Sequence, residues 1–173
     1  MKNTKPVVVS SLLGLVASLY GGQAQAAGEV KARLDGYQEV SALSTTGSGT
    51  FAARTGGGAI AYTLSYQDLE GNVLQAHVHF GQRGVNGGVS AFLCSNLGNG
   101  PAGTPLCPPA PGAVSGTVTS AEVIGPGGQG IGAGEIEELL DAIDAGVTYA
   151  NVHTDLYPGG EIRGQIRRGI GAD

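Results

Sequence analysis

The sequence predicts an all-β fold, an antiparallel β-sandwich of about eight strands with one short amphipathic helix, and three observations carry that expectation. Apolar and polar residues alternate with a period of two in short segments. Those segments are bounded by Gly, Asn, Asp or Pro, in a chain of 173 residues that holds 32 Gly and 8 Pro. One stretch alone breaks the alternation and carries its apolar residues at helical spacing. Gly and Pro together fall just short of the share that marks a low-complexity disordered chain, and no strict three-residue Gly period points to collagen.

Val30, Ala32 and Leu34 alternate with Lys31, Arg33 and Asp35, which reads as a first strand with one buried face. Ile60, Tyr62, Leu64 and Tyr66 alternate with Ala61, Thr63 and Ser65 in the same way. Residues 49–53, 73–80, 89–94, 113–123, 147–154 and 161–167 are the further strands expected. So many short strands in one small domain need two layers or a closed barrel. Over 135–145, Ile136, Leu139, Leu140 and Ile143 fall on one helical face, opposite Glu137, Glu138, Asp141 and Asp144, and Gly146 follows as a stop. The stripe reads as core packing and the acidic face as solvated surface. The Gly-rich run 130–134 before this helix lacks the Lys-Ser/Thr of a phosphate cradle and the βαβ setting, so a nucleotide site is excluded.

Lys2 and Lys5 precede an apolar run from Val7 to Tyr20, and small residues follow up to Ala27. That order reads as a secretory signal over residues 1–26, with a core too brief to span a bilayer. One domain, residues 27–173, is then expected in the extracellular space or the periplasm, with no membrane span after cleavage. Cleavage removes two lysines and no acid, so a net charge of −5 becomes −7. Acidic charge repels phosphate backbones, and no basic run is longer than Arg167-Arg168, which excludes nucleic acid as a partner. A polybasic membrane tether is excluded on the same ground. Cys94 and Cys107 flank twelve residues rich in Gly, Pro and Asn. In an oxidising compartment they are expected to form a disulfide, a loop staple contributing about 3 kcal/mol.

The chain holds three histidines, His77, His79 and His153. His77 and His79 stand at i and i+2 of a strand and project from one face, while Ala76, Val78 and Phe80 face the core. His153 shares a face with Tyr149 and Asn151, again opposite apolar neighbours. The imidazoles are thus expected on the less buried side or at a rim, and if the two strands are neighbours all three rings can meet. Polar-face histidines that merely bond neighbours or water are the rival reading. Imidazole suits copper, zinc, iron and nickel, and divalent affinity peaks at Cu²⁺. Met1 would leave with the signal and both cysteines are expected to be oxidised, so sulfur ligands are missing. With the soft ligands of a Cu(I) or blue-copper centre absent, the expectation is a three-histidine site with an open position, occupied by Cu²⁺ in preference or by Zn²⁺. Asp155 and Glu161 are candidates for a fourth ligand or for bracing the ligands from behind. Arg163 is expected either to brace Glu161 or a carboxylate on the adjacent strand in a fold-locking ion pair, or to act as a positive gate near the metal for a small anion.

The segments Ala76-His77-Val78-His79-Phe80-Gly81, Tyr149-Ala150-Asn151-Val152-His153-Thr154 and Pro158-Gly159-Gly160-Glu161-Ile162-Arg163-Gly164-Gln165-Ile166 resemble the CHRD domain, named for repeats in chordin. The resemblance runs from about Val30 to Ile166 and is most specific in the Asn-Val-His-Thr and Pro-Gly-Gly-Glu-Ile-Arg-Gly-Gln pair. It implies an extracellular β-sandwich of immunoglobulin-like or superoxide-dismutase-like build. In animal chordin such domains belong to an antagonist of bone morphogenetic proteins, a role not carried across to this single domain. His77-Val78-His79 before Phe80-Gly81 also resembles copper-zinc superoxide dismutase, but three histidines cannot supply both metal sites of that enzyme.

No Gly-x-Ser-x-Gly elbow occurs, and His153 and Asp155 alone make no triad. A binding or accessory protein is therefore expected ahead of an enzyme, with a metal ion as ligand. The alternatives are an extracellular interaction or matrix module with structural histidines, engaging another protein or itself, and a copper-dependent redox enzyme.

Overall fold

The computed structural model describes residues 27–169, so the expected signal over 1–26 lies outside the described residues. Nine strands form one antiparallel sheet: β1 (Gly28–Asp35), β2 (Ser48–Gly56), β3 (Ala59–Gln67), β4 (Val73–Phe80), β5 (Gly88–Ser95), β6 (Gly112–Val118), β7 (Thr148–Thr154), β8 (Ile162–Gln165) and β9 (Arg167–Arg168). One α-helix, α1 (Ile136–Asp144), joins β6 to β7 by way of short 3₁₀ turns. The strands pair in the order β5-β4-β7-β8-β1-β2-β3-β6, with β9 beside β1. The sheet rolls until its ends nearly meet. A bridge between Ala91 and Val123 and a hydrogen bond from the Tyr62 hydroxyl to the Leu93 carbonyl tie the two ends.

The alternation read from the sequence fills the interior. Leu34, Phe51, Ile60, Leu64, Val78, Leu93, Val152 and Ile162 are all buried in one core. Full burial of such side chains contributes about 1.5–3 kcal/mol each. Helix α1 lays Ile136, Leu139, Leu140 and Ile143 onto that core. Glu137 and Glu138 occupy its first turn, where the helix dipole favours negative charge. Cys94 and Cys107 are joined in a disulfide that pins the Pro-rich loop against β5.

One expected strand ends earlier than the sequence pattern indicated, and another is interrupted. The segment read as 113–123 leaves the sheet after Val118, because Thr119 and Glu122 form a capping box around a 3₁₀ turn. The last strand breaks at Ile166, whose amide bonds the Thr148 carbonyl. No helix among the described residues is long and apolar enough to cross a membrane.

Every residue of β7 and of β8 is buried. One face of these strands meets the apolar core. The other carries polar side chains, and loops 36–47, 81–87 and 155–161 cover it.

A buried cluster of three histidines

Strand β4 lies between β5 and β7, and its register with β7 sets His77 opposite Asn151, His79 opposite Tyr149 and Gln75 opposite His153. The neighbouring of the two histidine strands, a premise of the sequence reading, is thus met. Ring centroids lie 4.9 Å apart for His77 and His153, 5.4 Å for His77 and His79, and 5.8 Å for His79 and His153. One ligating nitrogen from each ring falls within 4.8 Å of the other two.

The rings are not at a rim, as the alternation had indicated, but inside. His77 keeps only 2% of its surface exposed, and the other two are also buried. Phe92 of β5 closes edge-on against His77 at 4.4 Å, and Tyr149 stacks parallel to His79 at 4.7 Å. Backbone carbonyls fix the ring orientations. Nδ1 of His79 lies 3.0 Å from the Gly87 carbonyl, and Nδ1 of His153 lies 3.0 Å from the Pro158 carbonyl. A carbonyl only accepts, so each Nδ1 carries the proton and donates it. Each Nε2 then keeps a lone pair. Both Nε2 atoms, and both ring nitrogens of His77, are buried with no hydrogen-bond partner among the described residues.

Burial drives these rings toward the neutral form. His77 is pushed down to about 2, by desolvation first and then by the neighbouring His153 and His79. Desolvation takes His79 to about 4, opposed by its bond to Gly87 and assisted by His153 and Arg163. His153 is likewise lowered by burial, against the bond to Pro158. Neutral imidazole is the form that ligates metals.

The loops that seal the cluster depend on close backbone approach. A Cβ on Gly87 would collide with the Phe80 carbonyl, so only glycine brings its own carbonyl to His79. A Cβ on Gly160, whose φ is +129°, would sit 2.6 Å from the Asn151 amide and 2.7 Å from the Glu39 carboxylate.

The charged residues singled out in the sequence are placed otherwise than expected. Asp155 is exposed and its carboxylate takes the amide and the side chain of Asn72, both at 2.8 Å, so it holds a loop rather than a histidine. Glu161 has no exposed surface, and its oxygens accept from the Thr45 and Thr154 hydroxyls and the Glu70 and Gly71 amides. The expected ion pair with Arg163 does not form, because those four donors occupy the carboxylate. Arg163 instead donates to the Gln82 and Val85 carbonyls and to Asn86, and its guanidinium carbon lies 3.4 Å from the centre of the Tyr149 ring. Desolvation lowers the Arg163 pKa, and Tyr149 and Glu39 counter it.

Sequence reasoning missed Glu39. Its carboxylate accepts from the Asn151 amide at 2.6 Å, and burial raises its pKa to about 7 despite that bond and the nearby Arg163. Glu39 sits in a loop without periodicity, so no pattern marks it. Phe92 was counted in a strand but not seen as a wall of the cluster.

The CHRD domain family model matches residues 30–166, most of the chain. This chain belongs to the CHRD domain family. The match covers the strands that build the cluster and its walls, β4, β5, β7 and β8. No curated protein and no solved structure matches this CHRD domain.

An open groove elsewhere, on the outer faces of β1, β2, β3 and β6, is lined by residues such as Lys31, Ala52, Thr63 and Ser115. It lies away from the histidines, and the hydroxyls of Thr63 and Ser115 bond each other across it.

Proposed function

We propose that this protein is an exported CHRD-domain binding or accessory protein whose His77, His79 and His153 hold a transition-metal ion, copper in preference to zinc. One observation carries the reading. One nitrogen from each of the three buried rings lies within 4.8 Å of the others without a hydrogen-bond partner, although two of the rings are firmly anchored through their other nitrogen. Buried polar atoms in native proteins are as a rule paired, and each orphan costs about 1–3 kcal/mol. A ligand that accepts one lone pair from each ring would recover most of that cost, leaving the single N–H of His77.

The donor set fits a metal. Imidazole bonds such ions at about 2.0–2.1 Å, so two donors on one ion are at most about 4.2 Å apart. Small ring rotations close that span from 4.8 Å. Anchoring one ring nitrogen on a carbonyl while the other points at the ion is how metal-binding histidines are commonly oriented. An ion held there would supply Lewis acidity or electron transfer. The protein's own residues orient the rings, exclude water with Phe92 and Tyr149, and keep protons off the ligating nitrogens. Structural histidines, the rival reading, would have their nitrogens bonded.

In our reading the rolled sheet is a flattened sandwich of immunoglobulin-like or superoxide-dismutase-like build. The disulfide, the signal-like first residues and the family support export. Competition titration of the purified protein with copper and zinc tests the metal claim. One ion is expected per chain, copper the tighter, and His77→Ala and His153→Ala should each abolish tight binding. Absence of tight binding, or binding that survives both substitutions, would remove the claim.

A further inference from the structure

The charge balance around the cluster bears on which ion it holds. All three donors are neutral, and the two anchored rings donate to backbone carbonyls rather than to carboxylates. No anionic partner therefore strengthens the ligands or offsets the ion's charge. None of Glu39, Glu161 and Asp155 bonds a histidine: Glu39 accepts from Asn151 and faces the charge of Arg163, Glu161 is held by its four donors and Asp155 by Asn72. A fixed positive charge stands close by. Strand β7 runs between β4 and β8, so the Tyr149 ring has His79 from one neighbour and the Arg163 guanidinium from the other. Arg163 is 1% exposed, so solvent does little to screen it.

Resting on the reading of the cluster as a metal centre, we propose that it is built for monovalent copper, Cu(I), and that Arg163 is the residue that selects the lower charge. The cost of moving an ion from water into a buried site grows as the square of its charge, and its repulsion from Arg163 grows in proportion. Both penalties fall more heavily on Cu²⁺ and Zn²⁺. Coordination number points the same way. Zn²⁺ takes four ligands and Cu²⁺ a tetragonal set, whereas the d¹⁰ ion Cu(I) is content with two or three. Three imidazoles walled by Phe92 and Tyr149 supply that number. Thiolates and thioethers are the usual donors for Cu(I). Both cysteines of this chain are tied in the disulfide, so here selection falls to charge and coordination number.

The test is anaerobic competition of the purified protein against a chromophoric Cu(I) chelator, with parallel competitions for Cu²⁺ and Zn²⁺. Cu(I) is expected to bind about 100-fold or more tighter than either divalent ion. X-ray absorption of protein loaded with Cu(I) under anaerobic conditions and then exposed to air should keep a Cu(I) edge. Arg163→Met should narrow the preference by about 10-fold and Arg163→Lys should preserve it, since only the latter keeps the charge. Divalent binding as tight as Cu(I) binding in the wild type overturns this proposal and leaves the metal centre standing. Failure to bind any of the three ions overturns both. If Arg163→Met does not fold, the wild-type competition and the edge position decide alone.

Discussion

His153 and Thr154 are neighbours on β7 and project to opposite faces of it, and the polar groups they serve are built on opposite rules. Thr154 belongs to the Glu161 node, where a fully buried carboxylate is matched by four donors. His153 belongs to a group of rings whose converging nitrogens have no partners among the described residues. The first is a closed account: it ties loops 45–47 and 70–71 to β7 and serves the fold. The second is held open at an energetic cost, which is expected of a site that awaits a ligand. Burial alone does not tell the two apart, but the bookkeeping of hydrogen bonds does.

The largest effect that would sharpen this contrast is acid sensitivity of the metal-free protein. The three rings stay neutral in the fold while the unfolded chain binds protons below its ordinary histidine value of 6.5. The unfolded state then holds more protons, so stability falls as pH drops. The slope is about 1.4 kcal/mol per pH unit for each such ring. For His79 the loss runs from 6.5 to about 4, and for His77 on toward about 2. Glu39 works the other way: raised from 4.5 to about 7, its contribution is present in acid and lost as pH rises through 7. It therefore offsets part of the loss down to 4.5 and none below. Urea midpoints from pH 8 to pH 4 should fall, most steeply below 4.5, and less steeply in His77→Leu. A slope unchanged by that substitution would break the comparison.

Next in size is Glu161→Ala, which would take the acceptor from two backbone amides and two hydroxyls, one of them on the fully buried Thr154, and cost about 4 kcal/mol. Chemical denaturation measures it, and a loss under about 1 kcal/mol would show the node to be no structural anchor.

The smallest effect has the opposite sign. His77→Leu in metal-free protein should stabilise by about 1–2 kcal/mol, because it removes two unpaired buried nitrogens from an apolar wall. Destabilisation by that amount would assign His77 to the fold rather than to a ligand.

The strands were legible because Val30, Ala32, Leu34 and their counterparts alternate strictly, and α1 because its stripe changes period. The convergence of the histidines was legible once β4 and β7 were taken as neighbours, and their shared face followed from period two. Their depth was not legible. The covering loops have no periodicity, and they reach the rings through the carbonyls of Gly87 and Pro158, groups that every residue carries. The bonds of Glu161 were hidden for the same reason, since two of its four donors are backbone amides from a loop distant in sequence. The early end of β6 could have been read from Thr119 and Glu122, whose spacing is that of a capping box.

The central claim is that ring nitrogens with free lone pairs face one another in a closed site. Long-range ¹H–¹⁵N spectra of the imidazoles test it most directly, before and after one equivalent of a diamagnetic ion, Zn²⁺ or Cu(I). The account predicts His79 and His153 as Nδ1–H tautomers with unprotonated Nε2, and a shift of one nitrogen in each of the three rings on adding the ion. Protonated Nε2 atoms in the metal-free protein, or spectra that do not change, would contradict it.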